Sequence, residues 1–599
     1  MTKTNRRPGF ILPERKPPDA DSFPHIKPAS LEAWLDDQQR HDDLSAAATS
    51  ILNAVRSINR TVIDYDLLSR LTPVLIARTQ PLLDRIEANL RQLPIPLGQR
   101  SQVLAAAYVE LASEIGTASM RLVDEGIREQ RIAATPAGQH LRHAMLMNGY
   151  QCLHFWRLYQ PLPAGLWERI HRVLDVAERL RVAGEPAREY AGSHPLAPDS
   201  VTGLAARIAV LGSAGVFALR HGEIGSLARW LQPLRLTCLA EPPERIDPGA
   251  PLLRLWLDSD REPTLVSGHP TMTDNARFVD LQLVVDAIRA GPEATGQHGT
   301  WHPATTGLDQ RLLNLWVVPP ERRFSREPAD GKPIVVVTGL REIHHLVGRD
   351  YRHERRKAAR HRDDEPSEKS DSDDPANALL HMLSDPDNAE TFTLEPTDEP
   401  SHGNHGPRYL VDRPPSQAGA AWQDAARGID PRPPSARERG TEHNPQPISA
   451  QLWDVGAGGL CLHLNTPAQK IISGDLIAVR MEREAHVIWQ LGMIRWLRHD
   501  EGGKIATGIQ YLAPICIPAD IHLHRPNRPL APAQPGLFFR KAKRPDTGVL
   551  LFAPGNFKEG DRVLFRVFGE KHDVRLATVR PESHTFVRAE FALQADGGK

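Results

Sequence analysis

The hydrophobic period changes once along this chain, and a long polar stretch separates the two regimes. From about residue 31 to 232 apolar residues recur every three or four positions. Leu31, Trp34 and Leu35 begin the series, and Leu44, Ile51, Val55 and Ile58 continue it. Leu67, Leu68 and Leu71 follow, and Val103, Leu104, Ala107, Leu111 and Ile115 mark a further face. Pro81, Pro94, Pro96, Pro136, Pro161 and Pro163 are expected near helix ends, because proline removes a helical donor. Longer helices are expected at about 140–159 and 166–182, and a pair at about 200–217 and 222–232. Such faces stack into a bundle with a sizeable core. Trp156, Trp167 and Trp230 read as members of that core.

From about 233 the period shortens. Leu252–Leu257 reads as a strand, and Pro333-Ile334-Val335-Val336-Val337-Thr338 as a buried one. Helices are expected near 279–290 and 307–317, so residues 233–350 read as a small mixed α/β subdomain. Val337-Thr338-Gly339-Leu340 is no phosphate loop, since no GKT or GxGxxG follows. His344-His345 reads as one core and one surface histidine.

Between 351 and 446 the composition is too polar to bury a core. A basic run holding Arg349, Arg352, Arg355, Arg356, Arg360 and Arg362 reads as a solvated helix end. An acidic run follows to Glu399, and proline and glycine then dominate. A disordered linker is expected there, with a short apolar island at Ala378–Leu383. Residues 1–30, rich in proline and charge, are expected to be flexible.

The chain has 599 residues, which at roughly 100–200 residues per domain calls for several domains. The formal net charge of −1 gives no case for nucleic acid or an anionic membrane surface as partner. The 26 histidines show no HExxH or comparable metal-ligand spacing. Cys152, Cys238, Cys461 and Cys516 form no CxxC pair, which fits a reduced compartment. The basic start, Met1 to Glu14, lacks the apolar core of a secretory signal. No run of about 18 apolar residues exists, so no membrane-spanning helix is expected. A cytoplasmic protein is the expectation.

Strand patterning then holds to the end of the chain. Residues 447–523 form one unit. Residues 534–593 form another, with runs at 549–552, 562–567, 574–579 and 585–589. Each is long enough for a small antiparallel barrel. The first unit opens with Asp454-Val455-Gly456-Ala457-Gly458-Gly459. Glycines there let the backbone turn tightly and approach a ligand. An aspartate at the start orders the turn or accepts from a base edge. Leu460, Leu462 and Leu464 alternate with Cys461 and His463. Met493-Ile494-Arg495-Trp496 and Gly508-Ile509-Gln510-Tyr511 close the unit.

This segment resembles a PilZ domain, the six-stranded barrel of bacterial cyclic-di-GMP receptors. Asp454 and Gly459 match the ends of that family's [D/N]-x-S-x-x-G signature, and Ile494-Arg495-Trp496 and Gly508–Tyr511 match its later strands. The whole chain is similar to large multi-domain PilZ-containing proteins of proteobacteria, which carry a long helical N-terminal region. Two positions depart from the pattern. Gly456 stands where the signature has serine, at a cost of about 1 kcal/mol for a lost hydrogen bond. No R-x-x-x-R pair is found in register before Asp454; Arg437 and Arg439 are nearest, spaced R-x-R, with Arg427 and Arg432 further off. Arg352, Arg356 and Arg360 have that spacing but stand far upstream and reach back only through the linker.

The fold expected is therefore a multi-domain α+β protein. A helical region at 31–232 is followed by an α/β subdomain at 233–350 and a linker at 351–446. A PilZ-like barrel at 447–523 and a C-terminal β unit at 524–599 complete it. The resemblance implies a non-enzymatic signalling protein whose ligand is cyclic-di-GMP, with no other cofactor. Arg437, Arg439, Asp454, Gly456, Gly459 and Arg495 are the candidate ligand residues, and the helical region would meet a protein partner. Two other readings remain. Asp454, Gly456 and Gly459 build only a tight turn, Arg495 and Arg498 are solvated strand residues, and the barrel is a degenerate interaction scaffold. An enzyme acting through residues 233–350 is the third, for which no nucleophile–base pair or metal cluster is found.

Overall fold

The structure is a computed structural model. It describes the chain apart from residues 1–8, 20–21, 94, 96, 187–193, 197–198, 244–250, 267–272, 274, 295–300, 318–324, 365–446, 466–470, 484–485, 500–503, 525–530, 542–543, 556, 584 and 593–599. The chain divides into two units, Met1–Pro320 and Glu321–Lys599.

The first unit opens with eight α-helices: α1 (Pro28–Gln39), α2 (Leu44–Arg60), α3 (Tyr65–Arg91), α4 (Gln99–Arg128), α5 (Ala134–Arg157), α6 (Leu166–Arg179), α7 (Val201–Ser213) and α8 (Glu223–Trp230). Their starts follow from side-chain caps. Asp43 accepts from the Ser45 and Ala46 amides, Asp64 from Leu67 and Ser200 from Gly203. The amphipathic faces expected from sequence meet in one core that includes Leu35, Leu71, Tyr108, Ile115, Tyr150, Trp156, Trp167, Leu174 and Trp230. Two expectations change. Pro81 lies inside α3 rather than at a helix end, as Pro73 also does, because the helix buries Leu71, Leu75, Leu82, Leu83 and Ile86 on one continuous face. Residues 9–27 are not loose where they are described. Phe10, Leu12 and Phe23 pack on the helical core, and Lys16 exchanges backbone hydrogen bonds with Arg60 and Val62.

The core also takes in one full ion pair. Arg157 on α5 donates to both carboxylate oxygens of Glu87 on α3 at 2.8 and 2.6 Å, with both side chains 4% exposed. The paired geometry offsets the cost of burying two charges.

Three short strands follow: β1 (Leu252–Trp256), β2 (Thr264–Leu265) and β3 (Ala276–Asp280), ordered β2-β1-β3 and antiparallel. With α9 (Gln282–Ala294) and α10 (Leu308–Trp316) they form the α/β part expected after residue 233. Leu253, Leu255, Val284, Leu312 and Trp316 extend the helical core, while Leu252, Ala276 and Phe278 form a small cluster of their own.

The second unit departs from the sequence reading in where its barrel begins. β4 (Glu327–Thr338) does not belong with β1–β3. It pairs antiparallel with β5 (Ile448–Gly456) on one side and with β7 (Leu476–Arg483) on the other. β6 (Gly459–Leu464), β8 (His486–His499) and β9 (Ile505–Ala513) complete a closed barrel in the order β4-β5-β6-β9-β8-β7. Closure leaves no strand edge to cap. Helix α11 (Leu340–Asp364) follows β4 directly, so residues 351–364 are helical, not linker. The rest of the expected linker, with its apolar island, lies outside the described residues.

The C-terminal strands make a separate sheet rather than a second barrel. They are β10 (Ile517–His524), β11 (Gln534–Lys541), β12 (Arg544–Phe552), β13 (Arg562–Val567), β14 (Glu570–Arg575), β15 (Thr578–Pro581) and β16 (Val587–Ala592). Their order is β14-β13-β10-β11-β12-β16-β15. β10, expected at the end of the barrel, pairs instead with β11 and β13. Helix α11 joins the two. Its Leu340, Ile343, Leu346, Val347 and Tyr351 share a core with Leu476, Leu491 and Met493 of the barrel and Leu537, Phe539 and Leu551 of the sheet. His344 on α11 is half-buried and reaches Asp520 at 3.4 Å, while His345 is exposed.

Candidate functional site

The barrel interior is filled by alternate residues, and this alternation decides which side chains face outward. Leu452, Leu462, Thr507 and Leu497 stand in one cross-strand row and are all buried. Regular alternation would turn Asp454 inward as well, two residues after Leu452. The strand avoids this with one extra residue. Pairing between β5 and β6 shifts between Leu452 and Asp454, so Trp453 is a β-bulge. The opposite neighbour is irregular at the same level: β4 shifts between Pro328 and Lys332, where Asp330 and Gly331 take φ of 50° and 71°. Bulges re-aim side chains in this way at barrel rims. Asp454 is thereby held on the outside, and Val455 returns to the row of Leu460 and Ile509.

Past Asp454 the chain turns between Gly456 and Gly459, which pair directly. Both glycines are required by close approach. A Cβ on Gly459 would lie 2.0 Å from the Ile509 carbonyl oxygen. A Cβ on Gly456 would lie 2.6 Å from the Ser325 carbonyl oxygen and 3.4 Å from the Arg326 Cγ. The segment entering β4 thus lies against the turn where the signature serine would stand, which explains the glycine there.

That segment brings the charge. Arg326 donates to the Asp454 carboxylate at 2.5 Å and stays 37% exposed against 25% for Asp454. Cys461 pairs across from Asp454; its thiol is pushed up to about 11 by burial first and by the Asp454 charge next. It is therefore a packed thiol, not a nucleophile. Cys461 faces Gly508 on β9, and a Cβ there would lie 1.9 Å from the Trp496 Nε1. The Trp496 indole covers that gap. Arg495 sits at a second bulge, between Ile494 and Trp496, and its Nε donates to the Gln510 side-chain oxygen. Gln510 in turn pairs with Gly459. Arg326, Asp454, Arg495, Gln510 and the Gly456–Gly459 turn thus gather on one outer face of the barrel.

Of the residues expected from sequence, Asp454, Gly456, Gly459 and Arg495 come together here. Arg437 and Arg439 lie outside the described residues. Arg352 and Arg356 belong to α11. The residue that sequence reasoning missed is Arg326. The signal was present: Arg322-x-x-x-Arg326 has the expected spacing and stands just ahead of β4. Assigning β4 to another subdomain hid it. Arg322 itself lies outside the described residues. Among the described residues no group of three His, Cys, Asp or Glu could hold a metal ion, and no helix is long and apolar enough to cross a membrane.

A family model described as the middle PilZ domain of the cyclic-di-GMP receptor FimW matches residues 260–518, a span that takes in β4 and the whole barrel. The chain is a PilZ-domain protein. A second family model, the N-terminal domain of that receptor, matches residues 29–243, where α1–α8 lie. The chain is 22% identical over 611 aligned residues to a Pseudomonas aeruginosa protein named cyclic-di-GMP receptor FimW, covering 95% of this chain and 91% of that one. The alignment therefore spans both the helical region and the barrel of this chain. The strands from β11 onward lie beyond both family models.

Proposed function

We propose that this PilZ-domain protein is a non-enzymatic signalling receptor that binds cyclic-di-GMP on the outer barrel face around Asp454. The observation that carries the reading is Arg326 held on Asp454 beside the Gly456–Gly459 turn. A guanidinium grips phosphate bidentately or stacks on a purine, and a carboxylate accepts from the N–H groups of a guanine edge. In the unliganded chain the two groups satisfy each other. A cyclic dinucleotide supplies a phosphate for Arg326 and a base edge for Asp454, so the ion pair is exchanged rather than lost. Arg322 is the second arm of the grip, in place of Arg437 and Arg439, and Arg495 completes the face. The arm lies just after Pro320, where the two units of the chain meet in sequence. Ligand binding there is the signal, and the helical unit is what we take to meet a protein partner. The reading places the protein in the cytoplasm, in keeping with four free cysteines.

Isothermal calorimetry on the full chain tests this. The wild type is expected to release heat with cyclic-di-GMP at micromolar concentrations. Arg326→Ala is expected to weaken binding by more than about tenfold, the scale of a lost charge-assisted contact. Arg437→Ala combined with Arg439→Ala is expected to change nothing. No heat from the wild type at tens of micromolar protein would sink the proposal. A second reading, a ligand-free interaction scaffold, draws on the Ser325 carbonyl over Gly456, which leaves no room for the signature hydroxyl. It requires that silent titration.

A further inference from the structure

Trp453 is a bulge residue that carries an exposed aromatic side chain beside the candidate site. It is 57% exposed. Among the described residues, the other large hydrophobic side chains so exposed are Ile11, Val62, Val103 and Leu283, all in the first unit. Its indole is not loose. The His463 ring lies parallel beneath it, with centroids 4.7 Å apart and an interplanar angle of 7°. His463 stands on β6 two residues from Cys461, and so on the same outer face as Asp454. Gln451, paired with His463, is bonded to Lys504 at 3.2 Å.

A cross-strand aromatic pair can serve only to stabilise a sheet. Such a pair gains most when both rings are covered, and here the indole, stacked on His463, stays 57% exposed. An exposed, fixed ring plane suits a flat partner. The bulge that turns Asp454 outward also presents this indole next to it.

We propose that Trp453, backed by His463, is the base-stacking platform of the barrel's ligand site. The inference rests on the cyclic-di-GMP reading and names what one purine of that ligand lies on. Arg326 grips phosphate, Asp454 reads a base edge, and the indole takes the base face. Stacking on an aromatic plane is indifferent to base identity, so the platform sets affinity while the carboxylate sets specificity.

Calorimetry of cyclic-di-GMP against the full chain separates the possibilities, with wild type, Trp453→Ala, Trp453→Phe and Arg326→Ala at one salt concentration. The expected result is about tenfold weaker binding for Trp453→Ala and at most a few-fold for Trp453→Phe, which keeps a ring plane. Thermal melting should be nearly unchanged in both, since the indole is exposed. If Arg326→Ala weakens binding and Trp453→Ala does not, the platform is overturned and the receptor reading stands. If Trp453→Ala keeps nucleotide affinity but loses association with another protein, the indole is a docking residue and the platform is overturned. If the wild type binds no nucleotide, both fall together.

Discussion

Gly456 shows how one residue can be read in opposite ways. In the sequence it is a missing hydroxyl. In the fold it is the place where the Ser325 carbonyl oxygen comes within 2.6 Å of where a side chain would begin. Restoring the signature serine is therefore expected to harm the site. Gly456→Ser pushes residues 325–326 away, loosens the Arg326–Asp454 pair and weakens cyclic-di-GMP binding about threefold or more; titration of the variant checks this. Unchanged or tighter binding would show that the arm adapts. Asp454 teaches a related point. Its chemistry could be read from its type, but its outward direction could not, because that depends on the bulge at Trp453 and alternation alone points it into the barrel.

The helices were legible because their registers are local. A period of 3.6 is complete within each segment, and the starts at Asp43, Asp64 and Ser200 came only with the structure. Pro81 misled because its cost is local while the gain is tertiary: the face of α3 is buried against α4 and α1. Packing of these elements also creates a pH dependence. His154 and His194 are each 3% exposed. His194 stacks on Tyr150 and lies 3.2 Å from the Tyr108 hydroxyl. Burial pulls His154 from 6.5 to about 4 and His194 to about 3; the Arg157 charge lowers both further and Glu87 opposes. A histidine whose folded pKa is depressed binds protons less readily when folded than when unfolded. Stability is then full above the unfolded value of about 6.5 and falls as the pH drops through the window down to about 4 for His154 and about 3 for His194. The helical unit should lose on the order of a few kcal/mol across that window, seen by calorimetry of the full chain as a falling melting temperature. His194→Gln should flatten the slope. A melting temperature constant from pH 6.5 to 4 would contradict the assignment.

At the scale of the molecule, the sequence reading placed the whole barrel within 447–523, whereas its first strand, β4, lies far upstream. β4 is separated from β5 by α11 and a long polar stretch, and sequence neighbourhood assigned it to the wrong unit. The arginine arm was lost with it. The barrel is therefore not contained in the chain that follows the polar stretch. A fragment of residues 420–599 lacks β4, leaving β5 and β7 with open edges. Such a fragment should melt without a sharp transition and bind no cyclic-di-GMP, whereas residues 321–599 should melt cooperatively; circular dichroism and titration distinguish the two. A cooperative, binding-competent short fragment would mean that the ring closes without β4.

The same topology imposes an order of events on the growing chain. β4 and α11 leave the ribosome first, and both strands that β4 pairs with are still to be made. At roughly 5–20 residues per second, about a hundred residues take roughly 5–20 s to synthesise. Through that interval Ile334, Val335 and Val336 form a β-branched run with two bare edges, the kind of segment that pairs with whatever strand it meets. Helix α11, made at once and amphipathic, is the nearest cover available for that nascent strand until β5 arrives.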